Sequence, residues 1–144
     1  MSSALDDLET IFLRERFSLL QYARNALPYA KASERPLVEQ LNQLADSTLS
    51  EVQQLEQFLQ AESDQFRAGG NFPASFTNYN YQTIKSLLQR VLEDYQTRCQ
   101  SFTENGRHVD TAPQVAKWHQ RLQEIQQRTL TELQNLVASC NKRS

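Results

Sequence analysis

The chain has 144 residues, a formal net charge of −2 at pH 7 and a pI near 5.7. This length predicts one domain with a sizeable core, and the lack of a dominant basic patch excludes nucleic acid as an expected partner. No apolar run approaches the roughly 20 residues that span a bilayer. The opening stretch MSSALDDLETIF also lacks the basic start and apolar core of a signal peptide. We therefore expect a cytoplasmic protein that contacts no membrane.

The first half of the chain predicts a helical hairpin. With only three glycines and four prolines, the composition favours helix over sheet. One helix is predicted over about 3–30, and a second over about 34–63 with Ser33 as its N-cap and Pro36 in its first turn. Apolar residues at steps of three and four define the core stripes. These stripes are Leu8, Ile11, Phe12, Leu19, Tyr22 and Ala26 in the first helix, and Leu37, Leu41, Leu44, Thr48, Glu51, Leu55 and Phe58 in the second.

The second half predicts another hairpin, with helices over about 81–104 and 111–141. The core stripes are Ile84, Leu88, Val91, Tyr95, Cys99 and Phe102 in the third helix, and Val115, Trp118, Leu122, Ile125, Thr129, Glu132, Leu136 and Cys140 in the fourth. The spacing of Cys99 and Cys140 matches neither a zinc nor a thioredoxin pattern, so we expect two buried, reduced thiols.

The segment 64–80, DQFRAGGNFPASFTNYN, interrupts the helical pattern with Gly, Pro and Asn. The preceding helix is roughly 45 Å long at 1.5 Å per residue, and this segment can reach at most about 55 Å when extended. It can therefore cross the whole length of the bundle, so that the third helix starts beside the start of the second. The alternative is a long loop within an up-down-up-down bundle.

One sequence of eight residues occurs twice in similar form. Residues 48–55 read TLSEVQQL and residues 129–136 read TLTELQNL, with five of the eight positions identical. Both octets fall at the same place in the second helix of a hairpin, which suggests that the two hairpins are copies of one ancestor. The alternative is a chance match among common helix residues.

In this arrangement the sequence resembles the ferritin-like superfamily, all-α antiparallel four-helix bundles in which a long crossover joins two helical hairpins. The stretch Gly70-Asn-Phe-Pro-Ala-Ser-Phe-Thr77 is also similar to the G-x-FP-x-x-FT crossover of uncharacterised bacterial ferritin-like proteins. The resemblance implies a two-iron site with an inward Glu on each first helix and Glu-x-x-His on each second helix. The corresponding metal candidates are Glu15, Glu51, Gln54, Glu132 and Asn135.

The departures from that pattern predict a degenerate site. Gln54 and Asn135 stand where the two ligand histidines would be, and imidazole suits iron much better than an amide oxygen does. Glu93 has the spacing of the third-helix carboxylate but lies on a polar face. We expect no cofactor, with iron or manganese only if the degenerate site still binds. Otherwise the core-facing glutamates either join a buried network with Thr, Gln and Asn donors or lie at the stripe edge and reach solvent.

The aromatic residues of the crossover must be covered by something. They either pack over the outside of the bundle or form a dimer interface, and we expect a homodimer. The resulting functional hypothesis is a non-enzymatic binding or scaffold protein with an unknown protein or small-molecule partner. Two alternatives stay open: a carboxylate-based metal-binding protein or oxidoreductase, and a protein that binds a small ligand in its core.

Overall fold

The computed structural model describes residues 4–62, 66, 69–105 and 113–142. Its helices pack together, which confirms the predicted all-α class at the level of a helical bundle. The elements are helices α1 (Ala4–Arg16), α2 (Leu19–Tyr22), α3 (Arg35–Glu62), α4 (Ile84–Asn105) and α5 (Pro113–Lys142), with 3₁₀ turns at Ala32–Glu34 and Ala74–Tyr79. Within the described ranges, no helix combines the length and apolar character needed to cross a bilayer.

The helix predicted over 3–30 is wrong, because it breaks after Arg16. Ser18 caps the short α2 by accepting a hydrogen bond from the Gln21 backbone N–H at 3.4 Å. A carboxylate oxygen of Asp94 in α4 accepts from the Leu19 backbone N–H at 3.2 Å. The break therefore leaves backbone N–H groups without helical partners, and side chains accept their hydrogen bonds instead. The spacing of apolar residues does not reveal such a break.

Contacts along the helices establish their directions. Between α3 and α5, Phe58 lies opposite Trp118 and Thr48 lies opposite Thr129, so these two helices are antiparallel. The order of contacts with α3 also reverses along α1 and α2, because Gln21 of α2 reaches Ala45 while Leu8 and Phe12 of α1 share a core cluster with Leu55 and Leu59 near the end of α3. Helix α4 is antiparallel to both α1 and α5, so α3 and α4 run in the same direction.

The connection between α3 and α4 runs beside the first helices. The Phe66 ring packs edge-on against Phe12 with centroids 5.6 Å apart, and the Phe72 ring lies 5.6 Å from Phe17. At its end, the Tyr81 backbone N–H donates to the Ala26 carbonyl oxygen at 2.8 Å. Because Phe66 and Phe76 of this segment are buried within the chain, packing over the bundle accounts for those two rings.

The core confirms the stripe predicted for α1 and α2 and corrects those of α3 and α5. Helix α3 buries Ala45, Val52 and Leu59, each one residue after the predicted Leu44, Glu51 and Phe58. The predicted residues and the buried residues form two neighbouring rows along α3, each with a seven-residue spacing. Burying the row with Val52 avoids taking a carboxylate out of water. In α5 the same shift buries Leu133 instead of Glu132, and Trp118 is only partly buried.

The buried residues of α4 include the predicted Ile84, Leu88, Val91, Tyr95 and Cys99, whereas the side chain of Phe102 lies outside the described part. Cys99 and Cys140 are both buried and do not form a disulfide, as expected.

Candidate functional site

Glu15 is the metal candidate that lies inside the bundle. It sits in the last turn of α1 and its residue surface is only 2% exposed. The Gln126 side-chain amide of α5 donates to Oε1 at 2.8 Å, and the Tyr95 hydroxyl of α4 donates to Oε2 at 3.2 Å. Both carboxylate oxygens are therefore held by neutral donors from the two helices of the second half.

The hydrogen bonds continue across the core to α3. The Tyr95 hydroxyl is also hydrogen-bonded to Thr129, and the Thr129 and Thr48 hydroxyl oxygens are 3.0 Å apart. Because the Tyr95 proton is directed at Glu15, the Tyr95 oxygen accepts from Thr129, whose oxygen then accepts from Thr48. We name these residues, Glu15, Gln126, Tyr95, Thr129 and Thr48, the buried polar chain.

The buried polar chain links the two copies of the octet. Thr48 is the first residue of TLSEVQQL and Thr129 is the first residue of TLTELQNL, and both are buried. The repeated threonine thus contributes one hydroxyl from each hairpin to a single hydrogen bond. We expected these threonines to donate to core-facing glutamates. Instead, their hydroxyl oxygens are hydrogen-bonded to each other, and the donors to Glu15 are Tyr95 and Gln126.

Burial is the main electrostatic influence on this site. Loss of hydration raises the pKa of Glu15 above its ordinary value, while the hydrogen bonds from Gln126 and Tyr95 and the charge of Arg98 act in the opposite direction. Burial, followed by the Glu15 charge, raises the pKa of Tyr95 well above its ordinary value. The same two causes raise the pKa of Cys99 to about 12. Tyr95 therefore stays a protonated donor at neutral pH.

The other two glutamates do not face the core as expected. The Glu51 side chain is 30% exposed and forms an ion pair with Arg128. Glu132 is exposed on the outside of α5. The alternative in which these glutamates reach solvent describes their positions correctly.

The two amides that replace the ligand histidines are also outside. Gln54 is exposed and accepts a hydrogen bond from Arg121 at 2.5 Å, and Asn135 is exposed. Of the five metal candidates, the structure thus places Glu15 inside and four on the surface. Across the ranges 5–62, 69–100 and 113–142, no three His, Cys, Asp or Glu side chains lie close enough together to hold a metal ion.

Sequence reasoning missed Gln126 and Tyr95 as the partners of Glu15. A usable signal was present for Tyr95, because it lies in a core stripe and a buried tyrosine hydroxyl needs a hydrogen-bond partner. Gln126 gave a weaker signal, three residues before Thr129 on the same face of α5. Neither signal identifies which carboxylate is the acceptor.

No family model, curated protein or solved structure matches this chain. Its class is therefore defined by its own geometry. It is an all-α bundle in which the helices of both halves meet on one buried carboxylate.

Proposed function

We propose that the chain is a cytoplasmic ferritin-like bundle that has lost two-iron chemistry and acts as a non-enzymatic binding or scaffold protein. The observation that carries the proposal is that both carboxylate oxygens of Glu15 already accept hydrogen bonds, one from Gln126 and one from Tyr95. A metal ligand needs a lone pair directed at the ion, and these two donors already use one lone pair on each oxygen of the carboxylate.

The helix directions support the ferritin-like relationship. Because α3 and α4 run the same way, their connection has to return along the bundle, as in a hairpin pair joined by a crossover. The meeting of Thr48 and Thr129 adds a second argument, since equivalent residues of two duplicated hairpins are expected to face each other near a pseudo-two-fold axis.

The chemistry of the donors argues against a retained metal site. The buried polar chain offers one carboxylate, one amide and three hydroxyls, and no imidazole. Glu51, which the resemblance assigns to the site, is instead neutralised by Arg128 at the surface.

Metal content tests this proposal. Untagged protein is analysed by inductively coupled plasma mass spectrometry before and after anaerobic loading with Fe(II) or Mn(II). We expect far less than one metal ion per chain, with the same result for Glu15→Gln and for the surface control Glu93→Gln. A stoichiometric metal that is lost in Glu15→Gln but kept in Glu93→Gln would refute the proposal.

The homodimer is also still a proposal. Sedimentation equilibrium across a range of protein concentrations gives the mass directly, against the 16.7 kDa of one chain. A monomer at all concentrations would overturn it without affecting the loss of metal chemistry.

A further inference from the structure

The outer surface between α3 and α5 carries a pocket that the buried polar chain does not use. We name it the basic aromatic pocket, and it is lined by Phe58, Gln114, Lys117, Trp118 and Arg121. The Phe58 and Trp118 rings form its apolar wall, with centroids 6.1 Å apart and planes inclined at 33°. Both rings are only partly buried, so their remaining surface faces the pocket or solvent.

Arg121 is held over this wall by two contacts. Its guanidinium carbon lies 4.9 Å from the centre of the Trp118 ring, within the range of a cation–π contact. One of its terminal nitrogens donates to Gln54 Oε1 across the seam at 2.5 Å. These contacts fix one edge of the guanidinium and leave other N–H donors for a ligand.

Within the described part of the chain, no ion pair offsets the positive charge of the pocket. Two turns further along α5, Arg128 pairs with Glu51, whereas the partner of Arg121 is the neutral amide of Gln54. Lys117 makes no ion pair with any described residue. Lys117 and Arg121 are four residues apart on one helix, a spacing at which like charges repel each other. An anion between them would relieve that repulsion.

Helix geometry adds to this preference. The pocket lies near the start of α5, a helix of 30 residues whose first residue is Pro113. The positive end of the helix dipole therefore adds to the charge of Lys117. The Trp118 indole N–H makes no hydrogen bond within the described residues and is available as a further donor.

We propose that the basic aromatic pocket binds an acidic protein segment that carries an aromatic or large aliphatic side chain. Carboxylates of the segment pair with Lys117 and Arg121, and its apolar side chain packs against Phe58 and Trp118. A planar carboxylate matches the guanidinium fork. A nucleic acid would need a longer basic track than two cations, and Glu51 lies close beyond Gln54 on the same seam.

This inference rests on the proposed binding role and specifies its partner class. It can fail separately from the proposed function, because peptide binding and metal content are measured independently.

Trp118 makes the test direct, because it is the only tryptophan in the chain. The probe is the capped synthetic peptide Glu-Asp-Phe-Glu-Glu-Leu, titrated into the full chain while Trp118 fluorescence is followed. Two control peptides replace either its four acids by Lys or both Phe and Leu by Ser. Anisotropy of a dye-labelled probe gives a second readout that does not depend on the tryptophan environment.

We expect a saturable change with the acidic probe and a weaker response with either control. Exposed ion pairs contribute modestly, so Lys117→Gln and Arg121→Gln should each raise Kd about fivefold. The matched control Arg128→Gln, on the same seam but paired with Glu51, should leave Kd unchanged. Raising the salt from about 0.05 M to about 0.5 M should weaken binding.

Three outcomes would overturn the proposal: no saturable change at probe concentrations up to about 1 mM, equal binding of the Lys peptide, or an unchanged Kd in the Lys117→Gln/Arg121→Gln double variant. All three side chains changed here are exposed, and circular dichroism of each variant confirms that the helices are retained.

Discussion

Replacing Tyr95 by Phe removes one hydroxyl from the centre of the buried polar chain. The ring is fully buried in the core, and Phe has nearly the same volume, so no large cavity is created. The change leaves Glu15 Oε2 without its donor and Thr129 without its acceptor. Any loss of stability therefore reports the hydrogen bonds and not the packing.

The expected loss follows from the charge of the acceptor. A hydrogen bond to an ionised group is worth about 1.5–3 kcal/mol, and a neutral one about 0.5–1.5 kcal/mol. At a pH above the folded-state pKa of Glu15, where its carboxylate is charged, we expect Tyr95→Phe to lower the free energy of unfolding by about 2–3 kcal/mol. The larger value arises because the buried charge also loses a hydrogen bond that replaces its hydration. Near pH 4, where the Glu15 carboxyl is protonated, the loss should shrink to about 1 kcal/mol.

Urea denaturation followed by far-ultraviolet circular dichroism measures this loss as a shift in midpoint at unchanged slope. The matched control is Tyr22→Phe, which removes a part-buried hydroxyl that donates to the neutral Asn80 side chain at 2.7 Å. That variant should lose about 1 kcal/mol at both pH values. Equal, pH-independent losses in the two variants would refute the assignment of Tyr95 as a donor to a buried carboxylate.

Two further predictions concern the same chain of residues. Because burial raises the folded-state pKa of Glu15 above the ordinary 4.5, the folded protein binds this proton more tightly than the unfolded chain does. The unfolding free energy should therefore fall as pH rises from 4.5 through the folded-state pKa. Glu15→Gln abolishes this contribution, so its stability relative to the wild type should increase with pH in urea titrations; a constant difference would contradict the burial of Glu15. Thr48→Val should cost about 1 kcal/mol and Thr129→Val about 2 kcal/mol, because Thr129 makes two of these hydrogen bonds and Thr48 makes one. The double variant should lose less than the sum in thermal or urea unfolding, and an additive result would indicate that the two hydroxyls are not coupled.

The octets show which core residues the helical spacing of the sequence identifies and which it does not. It places Thr48 and Thr129 correctly in the core, because each lies in a row of apolar residues at helical spacing. It fails one turn later, where Glu51 and its neighbour Val52 fit the same stripe equally well. The choice between them is a rotation of α3 about its own axis, and that rotation depends on what the neighbouring helices present. Arg128 of α5 offers Glu51 a partner outside the core, so Val52 turns inward.

The helix break after Arg16 also depends on a neighbouring helix. Residues 3–27 carry a continuous helical stripe, and no Gly or Pro interrupts it before Pro28. Besides the local cap Ser18, the groups that satisfy the broken backbone belong to α4: Asp94 accepts from the Leu19 backbone N–H, and Arg98 donates to the Arg14 carbonyl oxygen. Because Asp94 and Arg98 are far from α1 in the sequence, the local helical pattern does not predict these contacts.

The sequence by itself determined the helical class, the extents of the three long helices α3, α4 and α5, and the apolar row of the first. These depend on residue spacing and helix propensity, which are local properties. The tertiary structure alone decided that Glu15 is the one buried carboxylate of the three proposed. The physical reason is that a charged group stays in a core only where hydrogen-bond donors contact it. The two donors, Tyr95 and Gln126, lie 80 and 111 residues away from Glu15 in the chain.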